Sequence, residues 1–413
     1  MTSPDASPAN MDSPPSAPAG EPLRSVHTAS FAVLLEQLGI SLLVSTYQAG
    51  KVVVLRSEHG VLNTHFCGFN KPMGMALSED RLAVATALEI WEYHNLPAVA
   101  QQLEPVGRHD ACFLPRRAHV TGNVQTHELA WADEELWFVN TRFSCLCTLD
   151  DRHNFVPRWK PEFISQIAPE DRCHLNGLGL YEGQPRFVTA LGTTDTAAGW
   201  RDHKRDGGVL IDIATNEVLL SGLSMPHSPR WYDGRLWVLN SGEGQIGYVS
   251  FNRTPQARAF PASESESRDR NTRACGVRLN NSYVPLAALP GFTRGLDFCG
   301  RYAFVGLSQV RESAVFSGIQ IAERPQAERF CGVWVIDIVT GEIVAWVKFE
   351  DALQEIFAVC VVPNRRWPEI TNSNIGLISN SFVLPEEVLD VVPSELLKRV
   401  APWHLGPAEP QPK

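Results

Sequence analysis

The sequence predicts an all-β fold, a six-bladed β-propeller closed by its N- and C-terminal segments. Three observations predict it: the composition, a hairpin pattern that recurs along the chain, and complementary strands at the two chain ends. The 413 residues include 30 Gly, 29 Pro and 11 Trp, with 44% hydrophobic and 20% charged residues. This composition is typical of a globular chain rich in turns and in the aromatic residues that favour strands. Because propellers often form one long domain, the length does not require a second one.

The N-terminal region precedes any predicted strand. Residues 1–23 form a Pro/Ser/Ala-rich tail that we expect to be disordered. The tail has no Lys or Arg before Arg24 and no apolar core, so it does not match a secretory signal. The segment "FAVLLEQLGISLLVSTY" is interrupted by Glu36 and Gly39 and is too short for a membrane span. Nine cysteines without paired spacing favour a reducing compartment, and we expect a soluble, cytoplasmic protein without a membrane partner.

One hairpin pattern recurs along the chain. Each copy has a short apolar strand, a turn of Asp, Glu, Gly or Asn, and a second strand rich in Val, Leu and aromatic residues. The apolar residue before the turn recurs about every 50 residues, at Leu77, Trp131, Leu180, Trp231 and Phe298. A period near this value, with several strands per unit, is typical of a β-propeller.

A second repeat and the two chain ends complete the predicted ring. The segments "GGVLIDIATNEV" and "GVWVIDIVTGEI" match each other and are predicted to be the outer hairpins of two blades. "EIFAVCVVP" from Glu355 alternates like an inner strand, whereas the strands that start at Ile40 lack an inner partner. We expect these ends to form one shared blade, which gives a single propeller domain over residues 24–390 and a C-terminal tail over 391–413. A seven-bladed ring is the structural alternative.

Unusual polar residues recur where the inner strands are predicted to begin. Four positions before each aligned apolar residue stand Met73, His127, Asn176, His227 and Arg294, with Glu355 as the sixth member. His174 shares a strand face with Asn176 by alternation, so histidines of three neighbouring blades are expected to meet at one mouth of the channel. Imidazole binds divalent transition metals, and we interpret His127, His174 and His227 as a candidate metal site. Hydrogen bonding or direct ligand contact is the alternative interpretation.

The loops between second and third strands lie on the same face of a propeller. Two of these predicted loops are long, over residues 192–207 in the fourth blade and 308–332 in the sixth. Long loops inside a compact domain are often functional, and their Arg201, Lys204 and Arg311 are candidate partners of an anionic ligand group. The predicted ligand-binding residues are Asn176, Trp200, Arg201, Arg230, Arg294 and Glu355.

Charge and missing motifs exclude several functions. The formal net charge of −10 removes the electrostatic attraction on which nucleic-acid binding depends. The sequence contains no P-loop, no GxGxxG after a strand, no GxSxG and no HExxH. Cys173 and His174 are adjacent, but neighbouring strand residues point to opposite faces, which disfavours a nucleophile and its base. The expected partner is therefore a small-molecule or peptide ligand, and not a nucleic acid.

Several long motifs resemble a known family. "THELAWADEELWFVNTRFSCLCTLD", "EDRCHLNGLGL", "GWRDHKRDGGVLIDI" and "LSMPHSPRWYDGRLWVL" are similar to those of an uncharacterised family of mainly bacterial conserved hypothetical proteins. The resemblance extends over residues 41–364 and implies no activity.

A weaker resemblance links the chain to the gluconolactonase and regucalcin group of six-bladed propellers. That resemblance implies a channel that holds a divalent cation through Glu, Asn and Asp side chains. Glu355 and Asn176 suit two such positions. His127, His227 and Arg294 stand where further oxygen ligands are expected, which favours a transition metal over calcium.

Three functions are compatible with these observations. The first is a metal-dependent enzyme that acts on a small polar substrate at the channel mouth. The second is a non-catalytic module that binds a ligand or peptide through the same His, Asn and Arg side chains. The third is a scaffold that uses this face as a protein interface.

Overall fold

The computed structural model describes residues 23–251, 281–310 and 317–397. Within them the chain forms six sheets of four or five strands, arranged as the six blades of a propeller, so the predicted all-β, six-bladed fold is confirmed. Almost the whole predicted N-terminal tail, Arg311 and most of the C-terminal tail lie outside the described residues.

The first strands of the chain lead into blades 1 to 3. The described chain begins with β1 (Leu23–His27), which belongs to blade 6, and helix α1 (Ala29–Leu38). Blade 1 then contains β2 (Ser41–Thr46), β3 (Lys51–Glu58) and β4 (Val61–Gly68). Blade 2 contains β5 (Met75–Leu77), β6 (Arg81–Ala85), β7 (Glu89–Asn95), helix α2 (Pro97–Ala100) and β8 (Ala111–Val120). Blade 3 contains β9 (Thr126–Ala132), β10 (Glu135–Asn140), β11 (Cys145–Thr148) and β12 (Val156–Trp159).

Blades 4 to 6 follow the same order from the inside outwards. Blade 4 contains β13 (Leu175–Tyr181), β14 (Gln184–Ala190), the 3₁₀ helix η1 (Gly199–His203), β15 (Gly208–Asp212) and β16 (Glu217–Leu223). Blade 5 contains β17 (Pro226–Tyr232), β18 (Arg235–Asn240), η2 (Ser241–Glu243), β19 (Gln245–Ser250) and β20 (Ser282–Ala288). Blade 6 contains β21 (Phe292–Cys299), β22 (Tyr302–Ser308), η3 (Gln320–Glu323), η4 (Gln326–Glu328), β23 (Cys331–Asp337) and β24 (Ile343–Asp351). The described chain then forms β25 (Ala358–Val362), β26 (Pro368–Ile370), α3 (Ile375–Asn380) and η5 (Glu386–Val391).

The ring closes within blade 1, as the sequence predicts. The C-terminal strand β25 is the innermost strand of this blade and pairs antiparallel with β2, from Ser41 opposite Val362 to Ser45 opposite Ala358. All six residues of β2 are buried, including Ser41, Ser45 and Thr46, because the strand lies inside the blade between β25 and β3. Pairing between the two ends of the chain removes the open edges that an incomplete ring would leave.

Three elements at the chain ends are additions that the sequence analysis did not predict. β1 is a fifth strand of blade 6, antiparallel to β24, and β26 is a fifth strand of blade 2, parallel to β8. Helix α1 packs Phe31, Leu34 and Leu35 into the apolar core between blades 6 and 1. It ends at Gly39, whose φ of 64° is the left-handed conformation typical of a residue that terminates a helix. None of the described helices has the length and apolar character needed to span a bilayer.

The outer hairpins of blades 4 and 6 are equivalent, as their matching sequences predict. Asp212 and Asp337 end the third strands and accept hydrogen bonds from Arg186 and Arg301, at 2.7 and 2.5 Å. The other carboxylate oxygen of each aspartate accepts a hydrogen bond from the backbone N–H two residues later, which fixes the turn. The repeated Ile-Asp-Ile motif therefore corresponds to a repeated turn structure.

Candidate functional site

A cavity of about 430 Å³ opens at the channel mouth where the inner strands begin. The predicted site residues that line it are His127, His174, Trp200, Arg201, His227, Arg294 and Glu355. The starts of the inner strands and the loop that carries η1 thus lie on one face of the propeller. Aromatic walls come from Tyr47, Phe292 and Phe357. A concave site with a few converging polar groups is the usual form of a small-molecule site.

Two of the histidines are held by the backbone immediately before them. Gln125 and Met225, two residues before His127 and His227, have φ values of 56° and 46°. This left-handed conformation costs roughly 1 kcal/mol or more for a residue other than glycine. It allows the carbonyl oxygens of these residues to bond the Nδ1 atoms of the histidines, at 3.0 and 2.9 Å. His174 occupies the equivalent backbone position of blade 4, with a φ of 50°.

A hydroxyl group also contacts the Nδ1 atom of each of these two histidines. Thr141 Oγ1 lies 2.8 Å from His127 Nδ1, and Ser241 Oγ lies 3.0 Å from His227 Nδ1. Thr141 donates its own hydrogen to the carbonyl oxygen of Leu175, at 2.6 Å, so it accepts from the histidine. Because carbonyl oxygens accept, Nδ1 carries the proton in both rings, and Nε2 is the unprotonated nitrogen of the neutral form.

Thr141 and Ser241 were missed by sequence reasoning, although a signal exists. Each hydroxyl residue stands 14 positions after its histidine. Each also follows an Asn at the end of the second strand, in "WFVNT" and "WVLNS". The sequences of blades 3 and 5 thus repeat the histidine together with its supporting hydroxyl.

His174 is held by a carboxylate. Its Nδ1 lies 2.8 Å from Asp171 Oδ2, which also accepts a hydrogen bond from Trp200 Nε1 at 3.1 Å. The Trp200 ring lies 4.4 Å from the His174 ring, and the His127 ring lies 4.8 Å away on an edge. Asp171 Oδ1 is buried and has no hydrogen-bond partner among the described residues. Sequence reasoning missed Asp171, whose signal is an Asp three residues before the histidine.

Arg294 provides a buried positive charge next to the histidines. Its Nη1 lies 3.4 Å from Glu355 Oε1, and its Cζ lies 3.5 Å from the centre of the Phe357 ring. Burial lowers the pKa of Arg294 to about 10, and the negative charge of Glu355 opposes this change. The guanidinium is therefore charged at neutral pH. Burial raises the pKa of Glu355, and the nearby guanidinium limits the rise.

Two of the rings are neutral at physiological pH. Burial lowers the pKa of His127 and of His227 well below the ordinary value, and the positive charge of Arg294 lowers both further. His227 is 5% exposed, whereas His127 is half-buried at the cavity wall. A neutral ring with Nδ1 protonated presents Nε2 as a hydrogen-bond acceptor, a base or a metal ligand.

Stability is expected to fall below about pH 6.5 because of His227. Its folded pKa is lowered, so below an unfolded pKa of about 6.5 the unfolded state binds more protons. The free energy of unfolding then decreases by up to about 1.4 kcal/mol per pH unit for this one group. Urea unfolding between pH 7.5 and 5 should give a shallower pH dependence for His227→Gln than for the wild type. An unchanged slope in the variant would contradict a neutral His227 in the folded state.

The candidate metal site is looser than a bound ion requires. Among the described parts of the chain, His127, His174 and His227 are not a group whose ligand atoms lie close enough together to hold a metal ion. Ligands at about 2.0–2.1 Å from a tetrahedral ion lie about 3.3–3.4 Å apart. Metal binding at the mouth would therefore need the rings to move, and it stays a prediction.

Asn176 and Arg230 lie deeper in the channel than predicted. The Asn176 amide donates to the carbonyl oxygen of Pro226 at 3.0 Å and accepts from Thr189 Oγ1 at 2.6 Å, which connects blades 4 and 5. Arg230 pairs with Glu128. Neither Asn176 nor Arg230 lines the mouth cavity. Arg230 stands three residues past His227, on an inner strand that runs away from the mouth at about 3.3 Å per residue. Their roles in ligand binding stay predictions.

The opposite mouth of the channel has a larger cavity, of about 750 Å³. Apolar ends of the inner strands form much of its wall, including Trp131, Trp231 and Phe298. Its half-buried Asp297 accepts a hydrogen bond from the backbone N–H of Val361 at 2.7 Å. The three histidines line the smaller cavity, and we therefore take that cavity as the candidate site.

Several solved structures are similar in fold. One is a chain of the nidogen/laminin complex, with 8% sequence identity and a TM-score of 0.48; the similarity covers 79% of this chain and 99% of that one. A protein proposed to be a 6-phosphogluconolactonase, from Bacteroides uniformis, has 12% identity and a TM-score of 0.41, with 78% and 99% coverage. Virginiamycin B lyase from Staphylococcus aureus has 9% identity and a TM-score of 0.35, with 74% and 78% coverage. None of these likenesses bears on the activity of this chain.

Comparison at the level of sequence gives a family. No curated protein matches the chain. The model of a family described as a domain of unknown function, DUF4915, matches residues 29–261 and 274–371, which include every residue that lines the mouth cavity. The resemblance to an uncharacterised family is thereby confirmed, and the chain belongs to the DUF4915 family.

Proposed function

We propose that this protein is an enzyme that performs general-base chemistry on a small anionic molecule bound in the mouth cavity. The observation that carries the proposal is the bond between His174 Nδ1 and Asp171 Oδ2, at 2.8 Å, in a ring that lines the cavity. Proton transfer by a positioned side chain accelerates reactions by about 10²- to 10⁴-fold.

The dyad has the properties of a base and its orienting group. Asp171 fixes the proton of His174 on Nδ1, so Nε2 is the nitrogen that can take a proton from a bound substrate or water. The imidazolium that forms is stabilised by the carboxylate beside it. Trp200 donates to the same carboxylate oxygen and packs against His174 with its ring tilted by 43°, which restricts rotation of the imidazole.

The charges around the cavity favour an anionic substrate. Arg294 is the buried cation of the wall, and Lys71 and Arg201 line the same cavity. A guanidinium binds carboxylate and phosphate groups through two parallel hydrogen bonds. Because Arg294 lies on the wall that also carries His127 and His227, an anionic group bound there would place the rest of the molecule near the three rings.

A covalent mechanism with a serine, threonine or cysteine nucleophile has no support at this site. The described residues that line the cavity include no serine, threonine or cysteine. The nearest sequence candidate, Cys173, is fully buried, and burial raises the pKa of its thiol to about 12. The base is therefore proposed to act directly on the substrate or on a water molecule.

A metal-dependent enzyme is the second candidate, and one observation favours it. Metal-binding histidines usually donate their second N–H to a carbonyl or carboxylate oxygen, and His127, His174 and His227 all do so. The positive charge of Arg294 on the same wall opposes a divalent cation, which places this candidate second. Stoichiometric metal in untagged protein that disappears in His127→Ala and His227→Ala would reverse the order.

The anion-binding step is tested by Arg294→Gln. Small carboxylates and phosphate esters are screened for an increase in the melting temperature of the wild type, and hits are titrated by calorimetry. We expect the variant to bind the same compounds roughly 10- to 100-fold more weakly, the scale of a lost charge-assisted hydrogen bond. Arg117→Gln, which removes an exposed cation paired with Asp151, is the matched control and should bind like the wild type.

Two outcomes of the screen would contradict the proposal. Equal affinity in the wild type and in Arg294→Gln would show that the guanidinium does not bind the anion. Hits that bind at the cavity but are never converted, as followed by NMR of the compounds, would favour the non-catalytic ligand-binding module. A protein that prefers extended peptides over all small anions would favour the peptide-binding version of that module.

A further inference from the structure

A second cluster of metal-binding side chains lies far from the mouth cavity, at the seam between blades 1 and 2. His65 and Cys67 belong to β4, the outermost strand of blade 1, and Glu369 belongs to β26, the added strand of blade 2. One ligand atom of each residue lies within 4.8 Å of the others. His65 and Cys67 are two positions apart on a strand, so both side chains point to the same face.

We propose that His65, Cys67 and Glu369 bind a Zn²⁺ ion. Imidazole nitrogen, thiolate sulfur and carboxylate oxygen are the three ligand types that Zn²⁺ uses in proteins, at about 2.0–2.3 Å. Such ligands lie about 3.3–3.8 Å apart around a tetrahedral ion. His65 Nε2 and Glu369 Oε1 are 2.8 Å apart, so small side-chain movements bring the cluster to this geometry.

The fourth position of the ion faces a polar cavity of about 300 Å³. His109 lines this cavity, is 4% exposed, and places its Nε2 3.5 Å from Glu369 Oε2. Its Nδ1 is buried without a hydrogen-bond partner among the described residues. His109 thus adds a second imidazole next to the carboxylate of Glu369.

The surrounding charges allow a divalent cation. Arg56 Nη1 lies 3.2 Å from Glu369 Oε2, the oxygen that does not face His65, so the guanidinium orients the carboxylate without occupying Oε1. When the ion binds, the Cys67 thiol loses its proton to solvent and coordinates as the thiolate.

The ion would connect β26, the added strand of blade 2, to β4 of blade 1. β26 contains three residues and pairs with one strand, β8, in parallel register. A metal bond from Glu369 to the two β4 ligands would connect residues that are some 300 positions apart in the chain. Because such a site exists in the folded state alone, the ion stabilises the fold.

Metal titration of the full chain tests the proposal. Protein without a His tag is stripped with chelator and titrated with Zn²⁺ by calorimetry and with Co²⁺ by absorption. We expect about one equivalent of tight Zn²⁺, an increase in melting temperature, and a thiolate-to-cobalt charge-transfer band. Cys67→Ser should lose the band and bind Zn²⁺ at least 100-fold more weakly, and His65→Ala, which replaces a partly exposed ring, should lose the same affinity while keeping the fold.

Two control variants distinguish this site from the neighbouring thiol and from the histidines of the mouth cavity. Cys112→Ser changes a buried thiol on the neighbouring strand, 3.8 Å from Thr371 Oγ1, and should keep both the band and the affinity. His127→Ala removes a histidine of the mouth cavity and should also leave this metal equivalent unchanged. Absence of tight Zn²⁺ binding by the wild type, or equal binding by Cys67→Ser and His65→Ala, would overturn the proposal.

Discussion

His174→Gln is expected to lose about 10²- to 10⁴-fold in kcat on any substrate of the mouth cavity, with the KM changed by less than about threefold. Gln retains a polar side chain of similar reach but has no nitrogen that accepts a proton near neutral pH. The anion-binding group, Arg294, is untouched, so substrate affinity should persist. Steady-state kinetics on a converted compound from the screen measure both constants.

Asp171→Asn provides the second half of this prediction. An amide no longer fixes the proton on Nδ1 of His174, so the tautomer with the proton on Nε2 gains population and the base is lost. We expect a loss in kcat that approaches that of His174→Gln, and a double variant that is scarcely worse than either single one. A purely structural role would instead lower the melting temperature and leave kcat of the folded fraction unchanged.

The control for both variants is an exposed histidine. His119 Nε2 lies 3.0 Å from the carbonyl oxygen of Asn154 on the outside of blade 2, and His119→Gln should have wild-type kinetics. A kcat within threefold of the wild type in His174→Gln would exclude His174 as the base.

The ring itself was predictable because propeller blades repeat in sequence. The repeated hairpins, together with the strands at the two ends, predicted the number of blades. The strands without partners at the two ends predicted the ring closure, in which β25 pairs with β2. The additions at the chain ends were less predictable. Helix α1 has four buried apolar residues, Phe31, Ala32, Leu34 and Leu35, whose spacing is clear only once the helix is known. β26 is three residues long, and its single pairing carries no periodic signal.

The candidate site was predictable in its position and less so in its connections. His127 and His227 repeat at one blade position, so their shared face follows from the fold. The contact between Asp171 and His174 depends on left-handed backbone conformations at both residues. Neither residue is a glycine, so their spacing in the sequence does not predict this conformation. His65 and Glu369 meet because the ring closes, and no local spacing connects two residues so far apart in the chain.

The position of Arg230 along the channel was also not predictable from the sequence. Alternation assigns a side chain to a strand face, but it does not say which neighbouring blade supplies a partner. Arg230 lies three residues past His227, and its partner, Glu128, comes from blade 3, two blades away. The pair therefore bridges the channel below the cavity. Because of this position, we expect the Glu128–Arg230 pair to affect stability and not to contact the ligand.

The Glu128–Arg230 pair has the largest expected effect on stability. Glu128 Oε1 accepts a hydrogen bond from Arg230, and its Oε2 accepts from the backbone N–H of Leu178 at 2.8 Å. Arg230 Nη1 donates to the carbonyl oxygen of Leu178 at 3.1 Å. Burial alone would lower the pKa of Arg230, but the charge of Glu128 and its hydrogen bond raise it. Blades 3, 4 and 5 are thus connected through one carboxylate.

Glu128→Ala should cost about 3 kcal/mol in the free energy of unfolding, because it leaves a largely buried guanidinium and the Leu178 N–H without an acceptor. Glu128→Met combined with Arg230→Met removes both charges and should recover at least half of the loss, since the pair itself contributes little beyond its own desolvation.

Glu135→Ala is the matched control: its carboxylate pairs with Arg158 at 2.6 Å on the surface, and the substitution should cost less than about 1 kcal/mol. Urea unfolding at pH 7.5 measures all three. A cost below 1 kcal/mol for Glu128→Ala, or a double variant no more stable than that single one, would contradict a buried charge pair that holds these three blades together.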